Sequence, residues 1–380
     1  MKSLSECRSE IDEIDSQLLA LLERRIRVAE SVARYKIENN MKVFDEERER
    51  AVLKKIADRS PEDVRAELVG TYDGIMNMSK LRQYCIKSEK SPVRDVYRAA
   101  IEASDTGHDD VVVGVQGVAG AYSEQSAQAM FPKAKIVYYP SWAGIFDALK
   151  DGSIAYGVLP LENSTYGSVT DVYRLIIDND TYIIDSNRLK IEHCLMAKPG
   201  AKLEDVREIT SHPQALGQCA GFITRSGCRS VAATNTAVAA ESVSKSDRRD
   251  LAAIARIDCA EKYGLEILAR GVQDEPYNAT RFVAISKRLE IPADADKISI
   301  RFSLAHRQGT LSRILEYFSA LGLNLTKIES SPIPSKPFEY RFCLDFNGSM
   351  RDEETFDLIC ALTDELADFR FMGNYHETDI

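Results

Sequence analysis

The stretch LSECRSEIDEIDSQLLALLERRIRVAESVARY, Leu4 to Tyr35, decides how the first part of the chain folds. Apolar residues recur at Leu4, Cys7, Ile11, Ile14, Leu18, Leu21, Val28, Val32 and Tyr35, mostly in steps of three and four. That is the period of one helix face, and neither Gly nor Pro occurs before Pro61, so the spacing predicts one long amphipathic helix. Two shorter helices are expected over Asp45 to Ala57 and Pro61 to Cys85, with Ser60 as N-cap and Pro61 at the first helical position. So little chain cannot bury the seam of the first helix. A second copy is expected to complete the bundle, giving a homodimer or higher homo-oligomer.

One seam position breaks the pattern. Arg25 stands between Leu21 and Val28 where an apolar residue is due, and a cation in a bundle core needs a partner. Lys36 lies three helical turns further on and points the same way. Arg8 is rotated by about 100° and displaced by about 25 Å along the axis, so it is expected to serve the equivalent site of a second copy. On the second helix Asp45, Arg48 and Glu49 share a face, and on the third Ser79 and Gln83 form an i, i+4 pair.

At 380 residues the chain is long enough for two or three domains. Hydrophobic residues at 44% and charged residues at 28% are ordinary for a globular protein, and no apolar run approaches the roughly 18 residues of a membrane span. The polar N-terminus lacks the apolar core of a secretory signal, so a cytoplasmic location is expected. Eight scattered cysteines have no zinc-pair spacing, which leaves reduced thiols and no metal site as the expectation. A net charge of -10 disfavours a phosphate-backbone footprint, hence no nucleic acid. Residues 1–90 balance 18 Lys plus Arg against 18 Asp plus Glu, so an anionic substrate there must be met by locally placed cations.

Residues 91–110 turn polar and read as a linker, although 93–103 could form a short helix. Over 111–290, apolar runs at 111–115, 135–139, 154–160, 209–211, 229–233 and 251–255 alternate with helix-length segments. This predicts parallel α/β sheets in two lobes with a ligand cleft between them. Gly114, Gly117 and Gly120 lack dinucleotide spacing, so no cofactor is expected. Polar clusters follow the strands instead: Gly120 to Ser123, Glu162-Asn163-Ser164, Ser211-His212-Pro213-Gln214 with Gln218, Thr234 to Thr236, and Asn278 to Phe282. From 297 to 380 the order reads βαββαβ, a ferredoxin-like arrangement.

These residues carry three resemblances. Residues 1–90, through Arg8, Arg25, Lys36, Asp45-x-x-Arg48-Glu49, Ser79 and Gln83, resemble the all-helical chorismate mutase family. The resemblance implies a dimeric helical bundle, with Arg8 of one chain and Arg25 and Arg48 of the other on the chorismate carboxylates. It further implies Lys36 and Gln83 at the ether oxygen, with Asp45, Glu49 and Ser79 orienting the cations or the substrate hydroxyl. Residues 111–286 resemble the prephenate dehydratase family, most specifically in Glu162-Asn163-Ser164, Ser211-His212-Pro213-Gln214 and Thr280-Arg281-Phe282. By that likeness Thr280 assists the leaving oxygen, Asn163, Ser211 and Gln218 shape the prephenate pocket, and Arg281 holds a carboxylate; His212 is the alternative donor. The last segment resembles the ACT domain in Gly309-Thr310-Leu311-Ser312 and Glu329-Ser330-Ser331-Pro332, although Thr310, Ser312 and Ser331 depart from the usual pattern. It implies phenylalanine as allosteric inhibitor, bound near Gly309, Leu311, Asn324, Leu325 and Glu329.

Together the segments resemble the bifunctional chorismate mutase/prephenate dehydratase family. Competing readings are an arogenate dehydratase and a non-catalytic two-lobed binding protein; the latter gives no reason for Arg25 and Lys36. Phenylalanine is expected to inhibit the dehydratase, and removal of 297–380 to leave an active, insensitive chain; mutase activity is expected to respond less to phenylalanine, because its segment touches neither element in sequence.

Overall fold

The computed structural model describes residues 2–103, 110–307, 309–333, 336–366 and 368–380, so 104–109 of the expected linker lie outside it. Four helices come first: α1 (Leu4–Glu38), α2 (Glu46–Arg59), α3 (Arg65–Ser88) and α4 (Pro92–Glu102). A capping box starts α1: Ser3 accepts from the Glu6 amide and Glu6 from the Ser3 amide, at 3.2 and 2.7 Å. Asp45 caps α2 by accepting from the Arg48 amide at 3.0 Å. The expected third helix begins later. Residues Glu62–Val64 form a 3-10 turn, and Ser60 closes α2 instead of opening α3, its hydroxyl donating to the Ile56 carbonyl at 2.8 Å. Much of the expected linker is the helix α4.

An α/β region follows, with β1 (Val112–Gln116), α5 (Tyr122–Met130), β2 (Lys135–Tyr139), α6 (Trp142–Asp151), β3 (Tyr156–Asn163), β4 (Gly167–Ser168), α7 (Thr170–Asp178) and β5 (Tyr182–Lys190). Its second lobe carries β6 (Cys194–Ala197), β7 (Glu208–Ser211), α8 (Pro213–Gln218), α9 (Ala220–Ser226), β8 (Arg229–Ala232), α10 (Thr236–Lys245), β9 (Leu251–Ala255), α11 (Asp258–Tyr263) and β10 (Glu266–Ala269); β11 (Ala279–Ser286) returns to the first. The last elements are β12 (Lys297–Leu304), α12 (Thr310–Ala320), β13 (Leu325–Ile333), β14 (Lys336–Asn347), α13 (Glu353–Glu365), β15 (Arg370–Tyr375) and β16 (Glu377–Asp379).

Two compact units result: residues 1–102 with 297–371, and 103–296 with 372–380. In the first, helix α3 packs against α1 and α2 and also against α12 and α13. Asn77, fully buried, donates to the Arg313 carbonyl at 3.0 Å and to Glu316 at 2.6 Å. From α4, Arg94 pairs with Asp357 at 2.7 Å and lies over the Phe356 ring, while Tyr97 packs on Phe371. The helical segment therefore does touch the C-terminal βαββαβ segment, against expectation, because α3 has two faces to bury.

In the second unit the sheets are mixed, not parallel. The first runs β16-β5-β11-β3-β1-β2, with β1 parallel to β2 and β3 while β11 is antiparallel to both β3 and β5. The other runs β10-β6-β9-β7-β8, parallel only from β9 to β8. Strand β11 brings the chain back from the second lobe into the first sheet, where Thr280 pairs with Asn163 and Arg281 with Glu162. Strand β9, Leu-Ala-Ala-Ile-Ala, is buried along its whole length, as a central strand covered on both faces should be. Among the described residues no helix is long and apolar enough to cross a membrane.

Residues 372–380 belong with this unit, which the sequence did not foretell. Strand β16 adds in parallel to β5, and Gly373 passes so close that a Cβ would lie 2.0 Å from the Ile183 carbonyl oxygen. Arg281, its side chain 7% exposed, pairs with the equally buried Glu377 at 2.7 Å and donates to the Tyr375 hydroxyl and to Ser186 Oγ at 3.2 Å. Removing one partner of a buried pair costs about 3–5 kcal/mol. A chain ending at Asp296 or Phe371 is thus expected to lose, not keep, a stable α/β unit: its thermal transition should fall well below that of the full chain in calorimetry, and an unchanged transition would refute the role given to Glu377.

Candidate active sites

A cavity of about 310 Å³ opens among α1, α2 and α3. Arg25, Lys36, Asp45, Arg48, Glu49, Ser79 and Gln83 all line it, so seven of the eight residues singled out for the first site converge. The eighth, Arg8, is exposed and lies outside the cavity of its own chain. Arg25 donates to Ser79 Oγ and, at 3.4 Å, to the Ile75 carbonyl, which holds its fork across the gap from α1 to α3. Burial lowers its pKa, yet a guanidinium stays charged. Lys36 Nζ donates to the Val43 carbonyl at 2.5 Å, fixing the ammonium at the far end of the cavity. Gln83 donates to the Ser79 carbonyl at 3.2 Å, and its buried Oε1 has no partner among the described residues.

One residue was missed. Lys80 also lines the wall, with Nζ 2.5 Å from Glu49 Oε1 and over the Phe44 ring. A lone lysine on a helix reads as solvated, and only its facing carboxylate on α2 shows otherwise. The cavity therefore holds four cations and two carboxylates against a wall of Val28, Val32, Val52 and Met76. It suits a compact, partly apolar dianion. Such an array of charges accelerates a unimolecular rearrangement by holding a reactive conformer and opposing developing negative charge, with no nucleophile required.

The second cavity, also about 310 Å³, is lined from both lobes of the α/β unit. Asn163, Gln218, Thr280 and His212 face it as expected. Asn163 is the hub. Its Nδ2 donates to Thr280 Oγ1 and Asn278 Oδ1, both at 2.9 Å, while its Oδ1 accepts from the Thr165 and Tyr166 amides at 3.0 Å each. A threonine hydroxyl that accepts an N–H keeps its own proton for a ligand.

Two expectations fail on placement. Ser211 is fully buried and donates to the Ile254 carbonyl at 2.6 Å, away from the cavity. Arg281 follows Thr280 on a strand, so it points to the other face, and its charge is committed to Glu377. Sequence reasoning also missed His193, Trp142 and Gln116. His193 Nε2 lies 2.7 Å from Gln218 Oε1, and its Nδ1 lies 3.4 Å from the Tyr122 hydroxyl. Burial lowers the pKa of both His193 and His212, keeping the rings neutral at pH 7. His212 caps α8, its Nδ1 accepting from the Gln214 amide at 3.2 Å. Among the described residues none lining this cavity is Asp, Glu, Lys or Arg. Anionic groups would meet neutral donors and the starts of α5 and α10, at Ala121 to Ser123 and Asn235 to Thr236, where helix dipoles favour negative charge.

A third hollow of about 260 Å³ sits at the start of α12, with Gly309 and Leu311 in its wall beside Tyr340 and Phe342. Asn324, Leu325 and Glu329 lie outside it, the last two on β13. Gly309 takes φ of +77°, a left-handed turn that lets the chain enter α12.

Against known families, residues 7–84 match chorismate mutase type II and residues 113–290 match prephenate dehydratase. Arogenate dehydratase/prephenate dehydratase 1 of Arabidopsis thaliana is 35% identical over 292 residues, 73% of this chain and 74% of its own. The bifunctional chorismate mutase/prephenate dehydratase of Aquifex aeolicus is 29% identical over 379 residues, 99% of this chain and 98% of its own. Among solved structures, prephenate dehydratase of Arthrobacter aurescens in complex with L-Phe superposes with a TM-score of 0.64 at 27% identity, covering 70% of this chain and 89% of that one.

The Asn163 hub carries a testable cost. Asn163→Ala leaves the Thr165 and Tyr166 amides without their acceptor and Thr280 without its donor, so stability should fall by about 1–3 kcal/mol. Chemical denaturation of the full chain checks this, and a loss within error of zero would mean that water replaces the amide.

Proposed function

The chain belongs to the prephenate dehydratase family and carries a chorismate mutase segment ahead of it, and on that footing we propose how its two cavities divide the work. The protein is a bifunctional enzyme of phenylalanine biosynthesis: it rearranges chorismate to prephenate, then dehydrates and decarboxylates prephenate to phenylpyruvate. Neither step calls for a cofactor.

In the first cavity Arg25 and Arg48 hold the substrate carboxylates while Lys36 and Gln83 face the ether oxygen whose bond breaks. The convergence of these residues on one cavity is the observation that carries this assignment. For Gln83 to donate there, its amide turns over and gives up the bond to Ser79. Arg8 acts on the equivalent site of a second copy. Exposure of Leu18, Leu21 and Val28 on α1, at 46, 63 and 57%, supports that dimer, since a lone bundle would leave this seam in water.

The second cavity takes prephenate. As the ring carboxylate leaves as carbon dioxide, its bonding pair aromatises the ring and expels the ring hydroxyl, which must take a proton to leave as water. Thr280, polarised by Asn163, donates a hydrogen bond to that leaving oxygen; the proton itself comes from solvent, because a threonine hydroxyl is too weak an acid and so is the N–H of the neutral His212, the alternative hydrogen-bond donor. Arogenate would bring an ammonium in place of the keto group, and no carboxylate lines the described cavity to meet it, which favours prephenate. The C-terminal βαββαβ segment acts as an ACT-type sensor, with phenylalanine in the hollow at Gly309 and Leu311 and, from the paired copy, Asn324, Leu325 and Glu329.

Adding chorismate and following phenylpyruvate tests the pair of reactions. Arg25→Ala should abolish chorismate consumption and leave prephenate turnover intact, whereas Thr280→Ala should accumulate prephenate. Phenylpyruvate at the original rate from Thr280→Ala would shift the chemical role to His212. Phenylalanine should inhibit the dehydratase by about 5- to 150-fold, the range of ordinary coupling energies. A full-length enzyme indifferent to phenylalanine would mean that Thr310, Ser312 or Ser331 has changed the sensor's ligand.

A further inference from the structure

Glu49 is an awkward residue for a cavity that takes a dianion. Its carboxylate lies in the wall with Arg25, Lys36 and Arg48, where an unneutralised charge would repel the substrate. Two cations hold it. Lys80 Nζ reaches Oε1 at 2.5 Å from α3, and Arg313 Nη1 reaches Oε2 at 3.7 Å from α12. Arg313 is thus supplied by the C-terminal βαββαβ segment, and its backbone is pinned by the buried Asn77, whose neighbours Met76 and Ser79 line the cavity. A second carboxyl shares these cations. Glu365, at the end of α13, is raised to about 7, first by burial and then by Glu49, with Lys80 and Arg313 acting against the rise.

We infer that Arg313 is a positioning residue for the mutase: it holds the Glu49 carboxylate against the wall so that Arg25, Arg48 and Lys36 remain available to the substrate. The inference rests on assigning the first cavity to chorismate. It makes the C-terminal segment part of the first active site, contrary to what chain order suggests. An ordinary docking ion pair would contribute to stability alone and leave chorismate affinity untouched.

The test uses the full chain as wild type, Arg313→Met, Arg313→Lys and Glu316→Gln, with chorismate and prephenate turnover measured on each preparation. Arg313→Met should raise KM for chorismate roughly three- to tenfold, as expected for loss of a partly screened charge, while kcat changes less than about twofold. Arg313→Lys should recover most of the affinity. Glu316→Gln, which takes the charge out of a docking contact but removes no partner of Glu49, should keep the wild-type KM. Prephenate turnover should be the same in all four. If Arg313→Met does not fold, Arg313→Gln takes its place. An unchanged KM, a lysine variant as impaired as the methionine one, or equal loss of both activities would overturn the inference while the mutase assignment stands. A wild-type chain that leaves chorismate untouched would sink both.

Discussion

Helix α3 must bury two faces at once, and much of the first unit follows from that constraint. A surface helix hides one stripe; here Met76, Asn77, Ser79, Lys80, Leu81, Gln83, Tyr84 and Ile86 are all withdrawn from water. One face meets α1 and α2, the other α12 and α13. Polar residues so placed have to find partners within the protein. Ser79 takes Arg25, Lys80 takes Glu49, and Asn77 takes Arg313 and Glu316. The first two bonds face the cavity and the third faces the C-terminal segment, so one helix wall serves both.

The two cavities answer the problem of binding anions in opposite ways. In the first, formal charges are concentrated, with cations in excess of carboxylates, as a rearrangement that places negative charge on a breaking ether bond would require. In the second, the described lining holds only neutral donors, helix starts and histidines kept uncharged by burial. That suits a step in which carbon dioxide departs. A strong cation beside the departing carboxylate would stabilise the ground state and oppose its loss of charge. Keeping Arg281 on the far face of β11, tied to Glu377, is consistent with that requirement.

How much was legible varies by element for physical reasons. The long α1 could be read because 35 residues of helix repeat their period many times, and Arg25 stood out because it interrupts that period. Lys80 could not, since the carboxylate that defines it lies on another helix. Thr280 and Arg281 form one motif in the sequence, yet adjacent strand residues face opposite sides, so only one of them can enter the cavity. Short strands such as β6, β10 and β16 have too few residues to show a period. The reversal that makes the sheets mixed is a long-range pairing with no local signature. Families and order of segments came from motifs; the sharing of α3 came only from the fold.

That sharing bears on control. Thr310, in the wall of the third hollow, and Arg313, on Glu49, lie one turn apart on the same helix. A rigid turn cannot shift at one end without moving the other, so a ligand that reorients the start of α12 acts on the Glu49 carboxylate through one element. Its effect is bounded by its differential affinity for the two arrangements, and linkage requires chorismate to alter the affinity of that ligand by the same factor. The pair Arg313 and Glu49, at 3.7 Å, is partly exposed and weak by itself, which limits the coupling it carries. A weak contact at the wall of a charged cavity is nevertheless well placed to tune affinity without endangering the fold, because α3 also packs on α13 through other residues.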